Sequence, residues 1–300
     1  MSSPNCVWDA KAELGEGVFW HPKEQAVYWV DIVQSKLHRM TDEGTQQTWH
    51  FDGRASAVVP CEAGGLLATF ESGLSHINLE TETVTPLLPL EIDSLNNRFN
   101  DGYTDNLGNF WFGSMDDTQQ AESGHFYRML RNGTVTRLDN FGAVCISNGP
   151  AFSTDGNWVY FTDTITGKIF RAELDANNNP GQPELHIDFG ELKGHPDGMC
   201  TDTAGGLWVC HFAGGCITRF LQNGEVDQVI ELPVPNITKC AFGGKELRTL
   251  YITTAALSLD DSQRKAHPLS GGLFKVDVPF QGVPVVAAPL PKGFNFQSPI

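Results

Sequence analysis

Four short glycine-flanked motifs in this chain carry oxygen donors and no soft ligands: G-E-G around Glu16, N-D-G from Asn100, S-N-G-P around Asn148 and P-D-G around Asp197. Carboxylate and amide oxygens without thiolate or imidazole form a hard set, which suits Ca²⁺, Mg²⁺ or Mn²⁺ best and Zn²⁺ less well. A glycine beside each donor fits backbone that turns sharply at a rim. The donors are spread along two thirds of the chain, so an architecture must bring them together.

That architecture is a repeat. Six apolar stretches, AVYWVD, GLLATF, NFWFGS, WVYFTD, GLWVCH and TLYITT, align on Tyr28, Leu67, Trp111, Tyr160, Trp208 and Tyr251, at intervals of 39, 44, 49, 48 and 43 residues. One four-stranded propeller blade occupies about that length. A second stretch ending near a basic residue follows each anchor: SKLHRM, SGLSHI, GHFYRM, GKIFRA, GCITRF and GGLFKV. The segments between them hold Pro, Gly and Asn and sustain no helical period, which excludes parallel α/β units. The pattern predicts an all-β fold, a six-bladed β-propeller with a central channel, in one domain over residues 1–300. Helices should be nearly absent. Closure of the ring is expected from Asn5–Ala10 lying beside Val283–Ala288, which removes an exposed sheet edge.

In such a blade the strand nearest the axis precedes the anchor. Counting back 11 to 13 positions gives Glu16, Ser56, Asn100, Asn148, Asp197, and Thr238 or Lys239, all polar. Buried polar groups are costly unless partnered, so a polar ring inside six apolar blades points to a shared ligand. Two carboxylates facing one another across a channel repel unless a cation lies between them. The competing reading is a water-filled channel whose polar residues only cap strands.

Composition limits the partners. Twenty Lys+Arg against 36 Asp+Glu give a net charge of −16, without the basic face a nucleic acid requires. No apolar run reaches the roughly 20 residues of a membrane span, and the start shows no cationic leader with an apolar h-region. A soluble cytoplasmic protein, monomeric or weakly oligomeric, is the expectation. Seven scattered cysteines without a CxxC pair read as reduced, buried thiols. There is no HExxH and no G-x-S-x-G elbow. His195, two residues before Asp197, reads as a mouth residue or a surface loop. Asp175–Gly181 imitates an EF-hand but misplaces its glycine and lacks the terminal glutamate, so it reads as a surface hairpin loop.

With these motifs in place, the chain resembles the SMP-30/gluconolactonase/luciferin-regenerating family. The resemblance is carried by GEGVFW with VDI at 15–32, NNRFNDG at 96–102, ISNGP at 146–150, HPDGMC at 195–200 and FGG at 242–244. It implies a single divalent metal ion held by Glu16, Asn148 and Asp197, three residues the repeat count also reaches. It further implies that Arg98 and Asn100 contact a small-molecule sugar lactone. Where regucalcin-like members place an acidic substrate contact, this chain reads Met115-Asp116-Asp117-Thr118, so Asp117 or Thr118 is the candidate. The expected activity is metal-dependent hydrolysis of an aldonolactone to its aldonic acid, with Asp197 as ligand and catalytic base. A hydrolase of other esters on the same site, and a non-catalytic calcium-binding propeller, are the alternatives. For Arg98 the bland reading is an ion pair to Asp101 or Asp105.

Overall fold

The structure, a computed structural model, describes residues 3–91, 94 and 96–297. Six antiparallel sheets of four principal strands form a six-bladed β-propeller. The inner strands are Gly15–His21, Ala57–Pro60, Asn97–Thr104, Ser147–Phe152, His195–Thr201 and Ile237–Gly243, in blades one to six. The anchors fall on the second strands: Ala26–Asp31, Leu66–Phe70, Phe110–Asp116, Trp158–Asp163, Leu207–Phe212 and Thr249–Thr254. Among the described residues helix is confined to Asp261–Ala266, capped by Asp260 and Gln263, and a 3₁₀ turn at Asp139–Phe141. Among the described residues no helix is long and apolar enough to cross a membrane.

Cross-strand register explains why a base recurs in each repeat. The second and third strands set Tyr28 opposite Arg39, Leu67 opposite His76, Trp111 opposite Arg128, Tyr160 opposite Arg171, Trp208 opposite Arg219 and Tyr251 opposite Lys275. Directly opposed side chains touch, and the Arg128 guanidinium lies 5.2 Å from the Trp111 ring, Arg39 5.7 Å from that of Tyr28. Each such cation–π contact is worth about 0.5–2 kcal/mol. In blades three and five an aspartate six residues before the tryptophan accepts its indole N–H at 2.8 Å, Asp105 for Trp111 and Asp202 for Trp208. The apolar residues form six buried clusters, one at each junction between neighbouring blades. Packing between wedges, not within them, therefore supplies the core.

Ring closure uses the expected N-terminal segment on a different partner. Asn5–Trp8 pairs antiparallel with Leu273–Asp277 and becomes the outer strand of blade six. Val283–Ala288 does not pair with it. That segment is bounded by Pro284 and Pro289, which lack the N–H a sheet ladder needs, and it crosses the far end of the channel. Thr104 Oγ1 donates to the Val286 carbonyl at 2.6 Å, and Ala288 bridges to Cys61. A strap thus covers one mouth. Asn295–Gln297 then adds a parallel fifth strand to blade three.

Five of the six inner strands carry a one-residue bulge at equivalent height: between Glu16 and Phe19, Phe99 and Gly102, Asn148 and Ala151, Pro196 and Met199, and Ile237 and Cys240. A bulge unpairs one residue and re-aims its neighbours. Gly17 and Gly149, at φ +61° and +83°, supply two of these kinks. The inner strand of blade two has no bulge, and Ser56 beside it is spent on Thr69 at 2.8 Å.

Candidate functional site

The bulges gather Glu16, Arg98, Asn100, Asn148 and Asp197 around one cavity of about 270 Å³ at the mouth opposite the strap. All five are buried. Each lies at the N-terminal end of its inner strand. Asn148 is oriented by its own hydrogen bonds: Nδ2 donates to Thr164 Oγ1 at 2.8 Å, and that hydroxyl donates to the Pro196 carbonyl at 2.9 Å. Its carbonyl oxygen consequently faces the channel, where it accepts from Asn100 Nδ2 at 3.1 Å.

The acids are short of partners. Glu16 accepts the backbone N–H of Gly17 at 3.2 Å, and Asp197 that of Gly198. Among the described residues neither carboxylate forms an ion pair. Burial first, and Asp101 second, push the Glu16 carboxyl up to about 8. Burial, then Glu16, then Asp101 raise Asp197 well above the usual carboxylate range. Such a pair of starved carboxylates beside an oriented amide oxygen is a hard-oxygen set suited to one divalent cation.

Below this set lies a buried ion pair between Lys239 and Asp101. Asp101 also accepts the N–H groups of Gly102 at 2.7 Å and Gly149 at 3.1 Å. It thereby clamps the bulges of blades three and four. Lys239 had a sequence signal, since it falls on the sixth position of the polar ring; its pairing with Asp101 did not.

The Arg98 guanidinium donates from Nε to Asp117 Oδ1 at 2.7 Å and from Nη1 to the Phe99 carbonyl and Asn100 Oδ1, both at 2.9 Å. Its ion-pair partner is therefore Asp117, neither Asp101 nor Asp105. Asp105 serves its own turn and the indole of Trp111. Asn100 gives both its amide protons to protein, to the Ser147 carbonyl at 2.8 Å and to Asn148. It stands as a strut between Arg98 and Asn148.

The structure separates the two candidates in the loop after Met115. Asp117 is partly exposed and held by Arg98 and by Arg54 Nη2 at 2.9 Å. Thr118 turns back, its hydroxyl donating to Asp116. Asp116 also accepts the N–H groups of Gln120, Thr118 and Ala121, and these hydrogen bonds, that from Gln120 foremost, hold its carboxyl down to about 2. Gln119, not Thr118, lines the cavity, at φ +55°. Gln119 and Arg54 carried no signal in the repeat, because both lie outside its period. His195 is exposed at the cavity mouth. The ring of His211 is turned away, with Nδ1 on the Lys193 carbonyl at 2.7 Å. The Asp175–Gly181 loop closes on itself through Asp175.

Comparison with known proteins identifies the family. Residues 14–256 match the family model described as SMP-30/gluconolactonase/LRE-like region. The chain is 33% identical to the 6-deoxy-6-sulfogluconolactonase of Pseudomonas putida, over 95% of this chain and 97% of that protein. It is 32% identical to the pentonolactonase of Haloferax volcanii, over 93% and 95%. A crystal structure described as a calcium-binding protein, regucalcin, from Agrobacterium tumefaciens superposes with a TM-score of 0.91 at 28% identity, covering 96% of this chain and 98% of that one. The chain belongs to the SMP-30/gluconolactonase/luciferin-regenerating family.

Proposed function

We propose that this protein is a divalent-cation-dependent hydrolase of sugar lactones, opening a cyclic ester to the free aldonic acid. The observation that carries the reading is the convergence of two ion-pair-free acids, an oriented amide oxygen and one arginine on a single cavity. Relatives described as lactonases, at about one-third identity across nearly the whole chain, support the reaction class.

Glu16, Asn148 and Asp197 are the residues we assign to hold the cation; their oxygen donors fit a hard ion, and neither acid has an ion-pair partner among the described residues. A bound dication supplies Lewis-acid polarisation of an ester carbonyl. Arg98, fixed by Asp117, Phe99 and Asn100, presents the remaining edge of its guanidinium as donor to a substrate hydroxyl or to the nascent carboxylate. Asn100 holds Arg98 and Asn148 in mutual register, so substrate orientation is built in before binding. Asp197 accepts the proton of the attacking water at a carboxylate oxygen.

Ile146, Ile165, Phe212 and Leu257 give the cavity an apolar flank, which favours a second reading, a hydrolase of less polar esters. A panel separates the two. Aldono-γ- and δ-lactones, aryl lactones and a phosphotriester are assayed by acid release. The first reading requires the highest kcat/KM on an aldonolactone; preference for the aryl lactone or phosphotriester selects the second. A cytoplasmic location belongs to the same proposal, supported by seven cysteines that form no disulfide among the described residues.

A further inference from the structure

Beneath the strap the channel ends in a second, smaller cavity of about 40 Å³ lined by Tyr103, Met199, Cys200, Lys239 and Cys240 among others. Nothing in the proposed lactonase chemistry uses it. The Sγ atoms of Cys200 and Cys240 stand 3.5 Å apart there, on the adjacent inner strands of blades five and six. The approach is enforced by backbone. A Cβ on Gly198 would come within 2.7 Å of Lys239 Cγ and 2.9 Å of the Thr238 carbonyl, so only glycine lets these two strands lie so close. Cys200 is half-buried and Cys240 buried, and both face the cavity.

We propose that Cys200 and Cys240 are an oxidisable dithiol site, converted by a small hydroperoxide into a disulfide that staples blade five to blade six. The Cys240 thiolate attacks one peroxide oxygen; the O–O bond breaks, and the departing oxygen leaves with a proton as water or alcohol. The Cys200 thiol then displaces water from the sulfenic acid, and the S–S bond forms at about 2.05 Å. Two thiols lose one electron each and the hydroperoxide gains two.

Three features support this order of events. Burial opposes ionisation of Cys240, yet the Cys200 thiol 3.5 Å away and the neighbouring Lys239 ammonium favour its thiolate and lower its pKa. Thiolate is the reactive form. Cys200 is pushed the other way, chiefly by burial, which suits a resolving thiol. The cavity has room for a molecule the size of hydrogen peroxide, since one water needs about 10–15 Å³ of such space, and excludes a bulky disulfide such as oxidised glutathione.

The test uses the whole, fully reduced protein and its Cys200→Ser and Cys240→Ser variants, each treated with a small excess of hydrogen peroxide or with oxidised glutathione. The expected result for the wild type with peroxide is loss of two of the seven thiols, a Cys200–Cys240 linked peptide pair, and full recovery with dithiothreitol. Oxidised glutathione should act at least tenfold more slowly. Cys200→Ser should give no cross-link and a Cys240 that is captured by a sulfenic-acid trap. Retention of all seven thiols, cross-linking of another pair, or equal thiol loss in wild type and both variants overturns the proposal.

Discussion

Arg98 donates its Nε to Asp117 Oδ1 at 2.7 Å, joining a buried cation on an inner strand to a half-exposed acid on a rim loop. Arg54 holds the other side of Asp117, so under the proposed function the acid acts on substrate through Arg98, whose free edge it aims at the cavity. Asp117→Asn leaves the arginine charged but loosens its orientation. Hydrogen bonds to charged groups are worth about 1.5–3 kcal/mol, so KM for a sugar lactone should rise roughly tenfold with kcat held within about twofold. Steady-state kinetics on wild type and variant decide this; a fall in kcat at unchanged KM would instead put Asp117 on the reacting atoms.

The two acids without ion-pair partners make the metal-free protein pay for its site. Glu16→Gln removes a buried carboxyl whose ionisation burial and Asp101 oppose, and which in turn raises Asp197. The metal-free variant should therefore melt higher than metal-free wild type. Adding Mn²⁺ or Ca²⁺ at 100 times its dissociation constant should stabilise wild type by about 2.7 kcal/mol and the variant far less. Thermal melts with and without chelator read both differences.

His38 ties the N-terminal strand to blade one. Its ring stacks on Trp29 with centroids 4.2 Å apart and meets Trp8 edge-on at 5.0 Å, while Nδ1 lies 2.9 Å from Thr48 Oγ1. Burial, reinforced by Lys36 and His50, lowers its pKa from 6.5 to about 4. Between those values the unfolded chain binds a proton that the folded one does not, so this site's stability contribution is present above pH 6.5 and is lost as pH falls towards 4. His38→Leu should flatten the pH dependence of the urea midpoint across that window; an unchanged slope would mean that other groups set it.

Asp202 is fully buried and serves four groups: the N–H groups of Ala204 and Gly206, the Trp208 indole and the Arg219 guanidinium. Arg219 is itself buried. Removing one partner of a buried ion pair costs about 3–5 kcal/mol because the other charge is stranded. Asp202→Ala should lose that much in urea unfolding. A loss below about 1 kcal/mol would show that Arg219 finds relief in Asp227, 2.7 Å from its Nη1.

What the sequence discloses and what it hides divide along physical lines. The blade count, the anchors and the polar ring were legible because each repeats with a fixed period, and the same period placed Glu16, Asn148 and Asp197 on equivalent strands. The bulges that aim those side chains inward show in the sequence only as the glycines beside the donors, since a bulge is one extra residue in the pairing of two strands. That Gln119 rather than Thr118 lines the cavity was hidden for a related reason: the loop is built by Asp116 gathering N–H groups, which counting cannot foresee. The strap was misplaced as a closing strand because Val283–Ala288 is apolar enough to look like one, and only its flanking prolines argue otherwise. The Lys239–Asp101 pair joins blades six and three, which face one another only once the ring closes, and Arg54 meets Asp117 across the junction of blades two and three.

Metal-dependent turnover is the quantity on which the account rests most directly. Acid release from the preferred lactone is followed before chelation, after complete removal of divalent ions, and after return of Ca²⁺, Mn²⁺, Mg²⁺ or Zn²⁺, with Asp197→Ala run in parallel. The account predicts that turnover disappears with the metal, returns with at least one of the four ions, and falls at least about a hundredfold in the variant. Undiminished turnover in the metal-free protein, or wild-type kcat in Asp197→Ala, would contradict it.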